Sequence, residues 1–187
     1  MTRKADEENR SRLLEQIVAY VYANGVASLS LRPLAKHLGV SPASLLYHFH
    51  SKEELTVEIL RYAGDRQREL FASLRTRKND TAGEVCRKVW RVIGSPKDRP
   101  LFGLFFEVYG LALVDPKRFP GFFPGAVSNW LEFIEPAYVR DGLSPKEART
   151  RATVVLAGFR GFLLDVCATG DYDRVDRAVA LWIKTLP

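Results

Sequence analysis

Apolar residues recur along this chain at intervals of three and four, which is the spacing of one face of an α-helix. The first such stretch has them at i, i+3, i+4 and i+7, namely Leu14, Ile17, Val18 and Val21. The pair Asn24-Gly25 predicts the end of this helix, because both residue types accept the left-handed conformation of a helix cap. Strand-like alternation does not stand out, so the pattern predicts an all-α protein.

Two short helices are predicted next, separated by a tight Gly-Val-Ser turn. Ser30 is placed to cap the first of them and Ser41 the second. Pro42 then occupies the first helical position, where a missing N–H costs nothing. Ser51 and Glu54 have the spacing of a capping box, which predicts the start of a fourth, longer helix. Helix, short helix, turn, short helix and long helix is the arrangement of a helix-turn-helix unit.

Beyond about Lys78 the chain becomes richer in Phe, Trp and Leu, and helical spacing continues. We predict five more helices, nine in all, at about 81–94, 98–114, 124–140, 144–169 and 172–186. A second capping box, at Ser144 and Glu147, marks the start of the eighth helix. The stretch Asp115–Ala126 contains three prolines and two glycines and is predicted to be a loop.

Composition indicates a globular protein, and its net charge favours one kind of partner. The 187 residues are 47% hydrophobic and 27% charged, as in an ordinary globular protein. Apolar runs of the ~20 residues that span a bilayer are not apparent, and the N-terminus lacks the apolar core of a signal peptide. We therefore expect a cytoplasmic protein with no membrane partner, whose Cys86 and Cys167 are reduced. The net charge of +6 favours a polyanionic partner.

The segment VSPASLLYHFHSKEEL, residues 40–55, holds two of the three histidines. One interpretation is a metal-dependent hydrolase that uses His48 and His50. Residues two apart on a helix point about 200° away from each other, however, and helical zinc pairs are usually four apart. Since nucleophiles, bases and metal ligands do not cluster elsewhere in the sequence, we predict neither an enzyme nor a cofactor or metal.

The other interpretation of this segment is a surface that contacts DNA. Its predicted helix starts with small residues and carries longer polar ones further on, which suits a helix pushed end-first into the major groove. Free N–H groups and the helix dipole at such an N-terminus also attract phosphate oxygens.

The stretch LSLRPLAKHLGVSPASLLYHFHSKEEL resembles the helix-turn-helix signature of TetR-type transcriptional regulators. That signature runs apolar-x-x-A-x-x-apolar-G-V-S-x-x-x-L-Y-x-H-F-x-S-K-E-x-L. The residues in register with it are Ala35, Leu38, Gly39, Val40, Ser41, Leu45, His48, Phe49, Ser51, Lys52, Glu53 and Leu55. The resemblance implies a three-helix DNA-binding head at residues 1–52 and a ligand-binding and dimerisation body at 53–187, which is similar to the family in length and helical content.

Carried over position by position, the resemblance implies nine DNA-contacting residues. Those facing the DNA are Ser41, Pro42, Ala43, Ser44, Tyr47 and His48. Those reaching backbone phosphates are Ser30, Arg32 and Lys52. Leu46 stands where the family usually has Tyr, a common phosphate contact, and the pattern does not say whether Tyr47 replaces it.

Aromatic residues crowd consecutive segments of the body. They could form an aromatic core, or they could line a mostly apolar pocket with a few polar groups, which is typical of ligand sites. The candidate pocket residues are Trp90, Phe102, Phe105, Phe106, Tyr109, Asn129, Trp130 and Phe133. The ligand of such a pocket would be small and apolar, either aromatic or lipid-like, and the proline-rich loop would be its gate.

The last two helices are predicted to form a homodimer interface, with packing inside one subunit as the alternative. An apolar stripe runs along the last helix and includes Val175, Val179, Trp182 and Ile183. Gly158 and Gly161 leave room for another helix to come close. A dimer would place two recognition helices on half-sites about 34–36 Å apart, as a near-palindromic operator requires.

Together with these observations, the resemblance implies a homodimeric DNA-binding transcriptional regulator, most often a repressor, that a small apolar or aromatic effector releases from its operator. Transcriptional activation, or regulation without a small-molecule effector, is the alternative.

Overall fold

The computed structural model describes residues 2–74, 76–119 and 122–186, with the side chains of 2–5 and 118 left out. Within these ranges the chain forms nine α-helices, two short 3-10 turns and no strand. The first four helices are α1 (Thr2–Asn24), α2 (Leu31–Leu38), α3 (Pro42–Phe49) and α4 (Lys52–Ala72). The other five are α5 (Ala82–Ile93), α6 (Arg99–Val114), α7 (Phe122–Arg140), α8 (Pro145–Thr169) and α9 (Tyr172–Thr185). The predicted all-α class is therefore confirmed.

The chain divides into two compact units, Met1–Arg66 and Gln67–Pro187, and α4 runs through the division. The first unit contains α1, α2, α3 and most of α4, and we call it the head. The second contains the end of α4 and α5 to α9, and we call it the body. The functional division after residue 52 stays a prediction, because compactness does not say where DNA binding ends.

Local sequence sets most ends of the head helices as predicted, but the predicted cap at Ser30 is wrong, because its side chain makes no capping hydrogen bond to α2. Gly39 ends α2 with a φ of 68°, a conformation that glycine adopts without steric cost. The Ser41 Oγ accepts the Ser44 N–H at 3.0 Å and so caps α3. Of the capping box predicted at α4, one half forms, because the Ser51 Oγ accepts the Glu54 N–H at 3.0 Å. The Ser51 N–H donates instead to the Phe49 carbonyl at 2.6 Å.

A small core holds the head helices at fixed angles. Each helix contributes at least one fully buried side chain, namely Ile17, Leu34, Leu45, Leu55 and Ile59. Burial of such a side chain stabilises the fold by about 1.5–3 kcal/mol. The core therefore fixes α3 on α2, and these two helices are in direct contact.

In the body, α8 is the central helix and packs against α5, α6, α7 and α9. By length and composition alone it could cross a membrane, which contradicts the expectation that no segment is long and apolar enough. About a third (33%) of its most apolar stretch is buried against the other helices. Because α8 packs against four other helices, we interpret it as the central helix of the body.

Capping boxes begin two of the body helices. The one predicted at Ser144 and Glu147 is confirmed in both halves and begins α8. A second box, at Thr81 and Glu84, begins α5 and was not recognised in the sequence. Hydrogen bonds from the serine and the threonine hold the pKa of each glutamate below its usual value.

The predicted loop at 115–126 is wrong in its second half. Pro116–Arg118 forms a 3-10 turn and α7 already begins at Phe122, so that Pro124 and Gly125 lie in its first turn. A proline there breaks no hydrogen bond, because the first N–H groups of a helix have no partner within it. The gate assigned to this loop loses its basis over 122–126, while Pro120 and Gly121 lie outside the described residues.

Candidate nucleic-acid interface

Helix α3 presents one side to the core of the head and the other to solvent. Leu45 and Phe49 are buried, whereas Tyr47 is 69% exposed. With about 100° of rotation per residue, Tyr47 lies opposite the midpoint between Leu45 and Phe49. It is therefore the residue of α3 that points most directly away from the head.

The N-terminal turn of α3 is open and made of small residues. Ser41, Pro42 and Ala43 are exposed and Ser44 is half-buried. The Ser41 hydroxyl is engaged with the Ser44 N–H. Small side chains at this end let a phosphate backbone approach the helix closely, and the helix dipole favours its negative charge.

The three predicted phosphate contacts lie at the starts of two other helices. Ser30 precedes α2, is exposed and makes no side-chain capping hydrogen bond. Arg32 is exposed on the first turn of α2, while Lys52 is half-buried at the start of α4. The hydroxyl and the two cations can donate to phosphate oxygens, which position a protein on DNA without reading its sequence.

The two histidines of the segment have different surroundings. The ring of His48 is half-buried, 5.0 Å from the Tyr47 ring and 6.3 Å from that of Phe49. His50 is exposed in the bend between α3 and α4, with a φ of 60° that L-residues rarely adopt. His48 thus remains beside the outward face of α3, whereas His50 shapes the turn into α4.

Arg10 of α1 contacts the C-terminal end of α3, a contact that the sequence pattern does not predict. Its Nε donates to the His48 carbonyl at 3.2 Å, and its Nη2 lies 2.6 Å from Glu58 Oε1. The guanidinium carbon also sits 5.1 Å from the centre of the Phe49 ring. Arg10 therefore joins α1 to the C-terminal end of α3 and to α4. Because the contact spans 38 positions, no local sequence pattern announces it.

The chain departs from the TetR-type signature at Leu46, and the neighbouring Tyr47 is the candidate to replace the missing contact. Leu46, where that signature usually has Tyr, is 41% exposed on the flank of α3. Tyr47 is the more exposed of the two and carries a hydroxyl that can donate to a phosphate oxygen. The replacement of one contact by the other stays a prediction.

Replacing Tyr47 with Phe tests that prediction with a single hydroxyl. We expect DNA affinity to fall by about fivefold, as for the loss of one weak, solvent-exposed hydrogen bond. Tyr47→Ala should weaken it further, because the ring contact is lost too. The thermal midpoint should not change, since the side chain projects into solvent. Fluorescence anisotropy and thermal melting measure the two quantities, and a large drop in the midpoint would instead make Tyr47 a structural residue.

The eight predicted pocket residues fall into two groups. Trp90, Phe102 and Trp130 are buried in the core of the body, and both Phe106 and Phe133 pack against that core. Phe105, Phe106 and Tyr109 of α6 are half-buried and contact one another or the rings of α7. Asn129 is half-buried on α7. The structure therefore brings part of the predicted set together and assigns the rest to the core.

The predicted interface residues also fall into two groups, those buried within their own chain and those that remain accessible. Val175, Val179 and Ile183 are buried in the core of their own chain. Trp182 is half-buried and covers Gly158, where an added Cβ would come within 2.3 Å of the Trp182 ring. Gly161 is exposed, with open space above its Cα. The close approach at Gly158 thus occurs within one chain, and Gly161 is the glycine that stays accessible.

Comparisons with known proteins agree with this architecture. The sequence profile described as "Bacterial regulatory proteins, tetR family" matches residues 13–59, which span the helix-turn-helix unit. No curated protein gave a match.

Solved structures resemble the whole chain. A transcriptional regulator from Rhodococcus sp. Rha1 is 19% identical, with a TM-score of 0.79 and 95% of each chain covered. A member of the TetR family from Streptomyces coelicolor A3 is 25% identical, with a TM-score of 0.67 and coverage of 96% of this chain and 99% of that one. The multidrug binding protein EbrR complexed with ethidium is 26% identical, with a TM-score of 0.58 and coverage of 95% and 98%.

The family profile covers α2, α3 and the turn between them, and the structural likeness extends over both units. This fold serves DNA binding rather than catalysis in the family that the profile describes. Residues 13–59 match the model of the tetR family of bacterial regulatory proteins, the fold is that of solved TetR-type regulators, and the chain is a DNA-binding transcriptional regulator.

Proposed function

We propose that the chain is a homodimeric repressor that binds a near-palindromic operator in the cytoplasm and leaves it when a small apolar effector binds the body. The observation that carries the DNA-binding part is the outward face of α3, with a small-residue N-terminus and a projecting Tyr47. Two such helices in one dimer would meet successive major grooves of one face of the duplex.

The proposed dimer surface is the outer side of α8. An unbroken series of exposed apolar or small residues runs along it at helical spacing, Val154, Ala157, Gly161, Leu164 and Ala168. Val154 and Leu164 are 54% and 53% exposed, and Leu181 of α9 is exposed as well. Since Val175, Val179 and Ile183 fill the core, this outer series carries the association that the sequence had assigned to them.

The proposed effector site is the half-open aromatic cluster of α6 and α7. Five half-buried rings compose it, Phe105, Phe106, Tyr109, Phe122 and Phe123. Their centroids are 5.1–6.1 Å apart where they touch, as in offset or edge-to-face pairs. The similar protein EbrR was solved with ethidium, which is an aromatic cation, so the parallel extends to its rings and not to its charge. An effector that binds one conformation of the body more tightly than another would increase the population of that conformation. If the heads bind DNA poorly in that conformation, the affinity for DNA falls.

The proposal is tested by binding and release in one assay. A labelled DNA fragment that flanks the gene for this chain should be retarded in a gel shift and freed by members of a panel of aromatic and aliphatic compounds. Those members should also raise the thermal midpoint of the protein without DNA. Binding that no compound reverses would contradict the effector part. Transcription in vitro from the same fragment distinguishes repression from activation.

A further inference from the structure

Arg160 lies at the edge of the aromatic cluster, in a position that is costly for a cation. It projects from α8 and is half-buried, with its guanidinium carbon 5.4 Å from the centre of the Tyr109 ring and 6.0 Å from that of Phe105. Its Nη2 donates to the Ala126 carbonyl at 2.8 Å. Its Nε is buried and has no hydrogen-bond partner. A desolvated cation with an unused donor is unfavourable unless something pairs with it.

The residues that the structure describes supply no such partner. Arg160 forms no ion pair with any of them, although other arginines and lysines among them do. Glu107, the acidic residue of α6, lies about 200° around its helix from both Phe105 and Tyr109, the two rings that face Arg160. Burial also lowers the pKa of Arg160, which accords with a charge held away from water.

The rings around Arg160 leave apolar surface uncovered. Phe105, Tyr109, Phe122 and Phe123 are each half-buried, whereas the other aromatic cluster of the body is closed around the buried Trp90, Trp130 and Phe159. Exposed apolar surface with one convergent polar group is the composition of a ligand site. A ligand that fits here needs an apolar portion for the rings and an anionic group for the guanidinium.

We propose that the effector is an apolar monocarboxylate, whose carboxylate pairs with Arg160 while its hydrocarbon portion covers Phe105, Tyr109, Phe122 and Phe123. The inference rests on the proposed function and adds the chemical class of the effector. A guanidinium binds a carboxylate through charge-assisted hydrogen bonds in a planar fork, and the buried Nε supplies one donor that is not otherwise used. Cationic aromatic compounds are disfavoured at the same site, because they would bring a second positive charge to Arg160.

The test uses two series of compounds that differ only in their polar group. One is 2-naphthoate, 2-naphthamide and 2-naphthylmethylamine, and the other is decanoate, decanol and decylamine. Isothermal titration of the full chain without DNA measures affinity, and gel shift on the flanking fragment measures release. We expect at least one carboxylate to bind about tenfold or more tightly than its neutral and cationic counterparts and to release the DNA.

Arg160→Met should remove that preference and leave the binding of the neutral compounds unchanged, while Arg160→Lys should retain part of it. Arg149→Met is the matched control, since Arg149 is an exposed arginine of α8 that pairs with Glu135; it should behave like the unchanged protein. If Arg160→Met does not fold, the affinities of the acidic, neutral and cationic compounds for the unchanged protein still test the inference.

Release by neutral compounds or by ethidium with no preference for acids would overturn the carboxylate inference and leave the proposed effector-controlled repressor standing. Operator binding that no compound in either series affects, with no heat of binding for either acid, would also overturn the inference. A wider panel that still released nothing would then count against effector control itself.

Discussion

The Leu164→Arg chain is expected to sediment as a monomer and to bind operator DNA about a hundredfold more weakly than the unchanged protein. Leu164 is 53% exposed near the middle of the outer series of α8. In a twofold interface the same surface meets its copy, so the substitution brings two like charges close together. Because the side chain is not in the core of the body, the monomer should remain folded.

The loss of DNA affinity follows from the loss of one half-site. Two linked heads bind DNA with the benefit of a high effective concentration, which is worth about 10²–10⁴-fold over a single head. Val114→Arg is the matched control, since Val114 is 86% exposed at the end of α6 and outside the proposed interface. Sedimentation velocity and anisotropy titration measure the two effects. A Leu164→Arg chain that remains a dimer would contradict the assignment of the outer side of α8.

The Arg10→Ala chain is expected to bind operator about thirtyfold more weakly and to lose about 2 kcal/mol of unfolding free energy in each head. The substitution removes the hydrogen bond to the His48 carbonyl, the ion pair with Glu58 and the cation–π contact with Phe49 at once. Arg61 also pairs with Glu58, at 2.9 Å, so that carboxylate keeps one cation. The main expected consequence is a less firmly held C-terminal end of α3.

Two further substitutions separate this role from simple loss of charge. Arg10→Lys keeps the charge but lacks the planar fork, so it should restore only part of the affinity. Arg12→Ala removes an exposed arginine of the same helix whose side chain contacts Asn9, and it should leave stability unchanged. Urea denaturation and anisotropy titration measure the two quantities. Equal losses for Arg10→Ala and Arg12→Ala would mean that Arg10 contributes charge alone.

The head could be predicted from sequence because its determinants are local. Gly39, Ser41 and Pro42 act through the backbone next to them, and the apolar spacing of each helix identifies its buried side. The loop predicted over 115–126 failed for an instructive reason. Proline and glycine break a helix in its interior but are tolerated in the first turn, which is where Pro124 and Gly125 lie.

The body was harder to predict because the apolar spacing of a helix face is the same whether that face packs in the core, lines a pocket or forms a subunit interface. Val175, Val179 and Ile183 have the spacing of an interface stripe, yet they fill the core of their own chain. Trp90 and Trp130 similarly belong to the closed core, whereas Phe105 and Tyr109 remain half-exposed. Arg10 and Arg160 act on residues 38 and 34 positions away, respectively, so neither role could be read from neighbouring residues.

Binding to one defined DNA site as a function of salt tests the central claim most directly. The site is first located by footprinting on the fragment that flanks the gene for this chain, and a scrambled fragment of the same length is the control. Two chains are expected to bind each near-palindromic site, with the logarithm of the affinity falling linearly with the logarithm of salt concentration. Affinity for the scrambled fragment should be lower by about 10³-fold or more. Equal binding to both fragments, or no binding at low salt, would contradict a sequence-specific DNA-binding regulator.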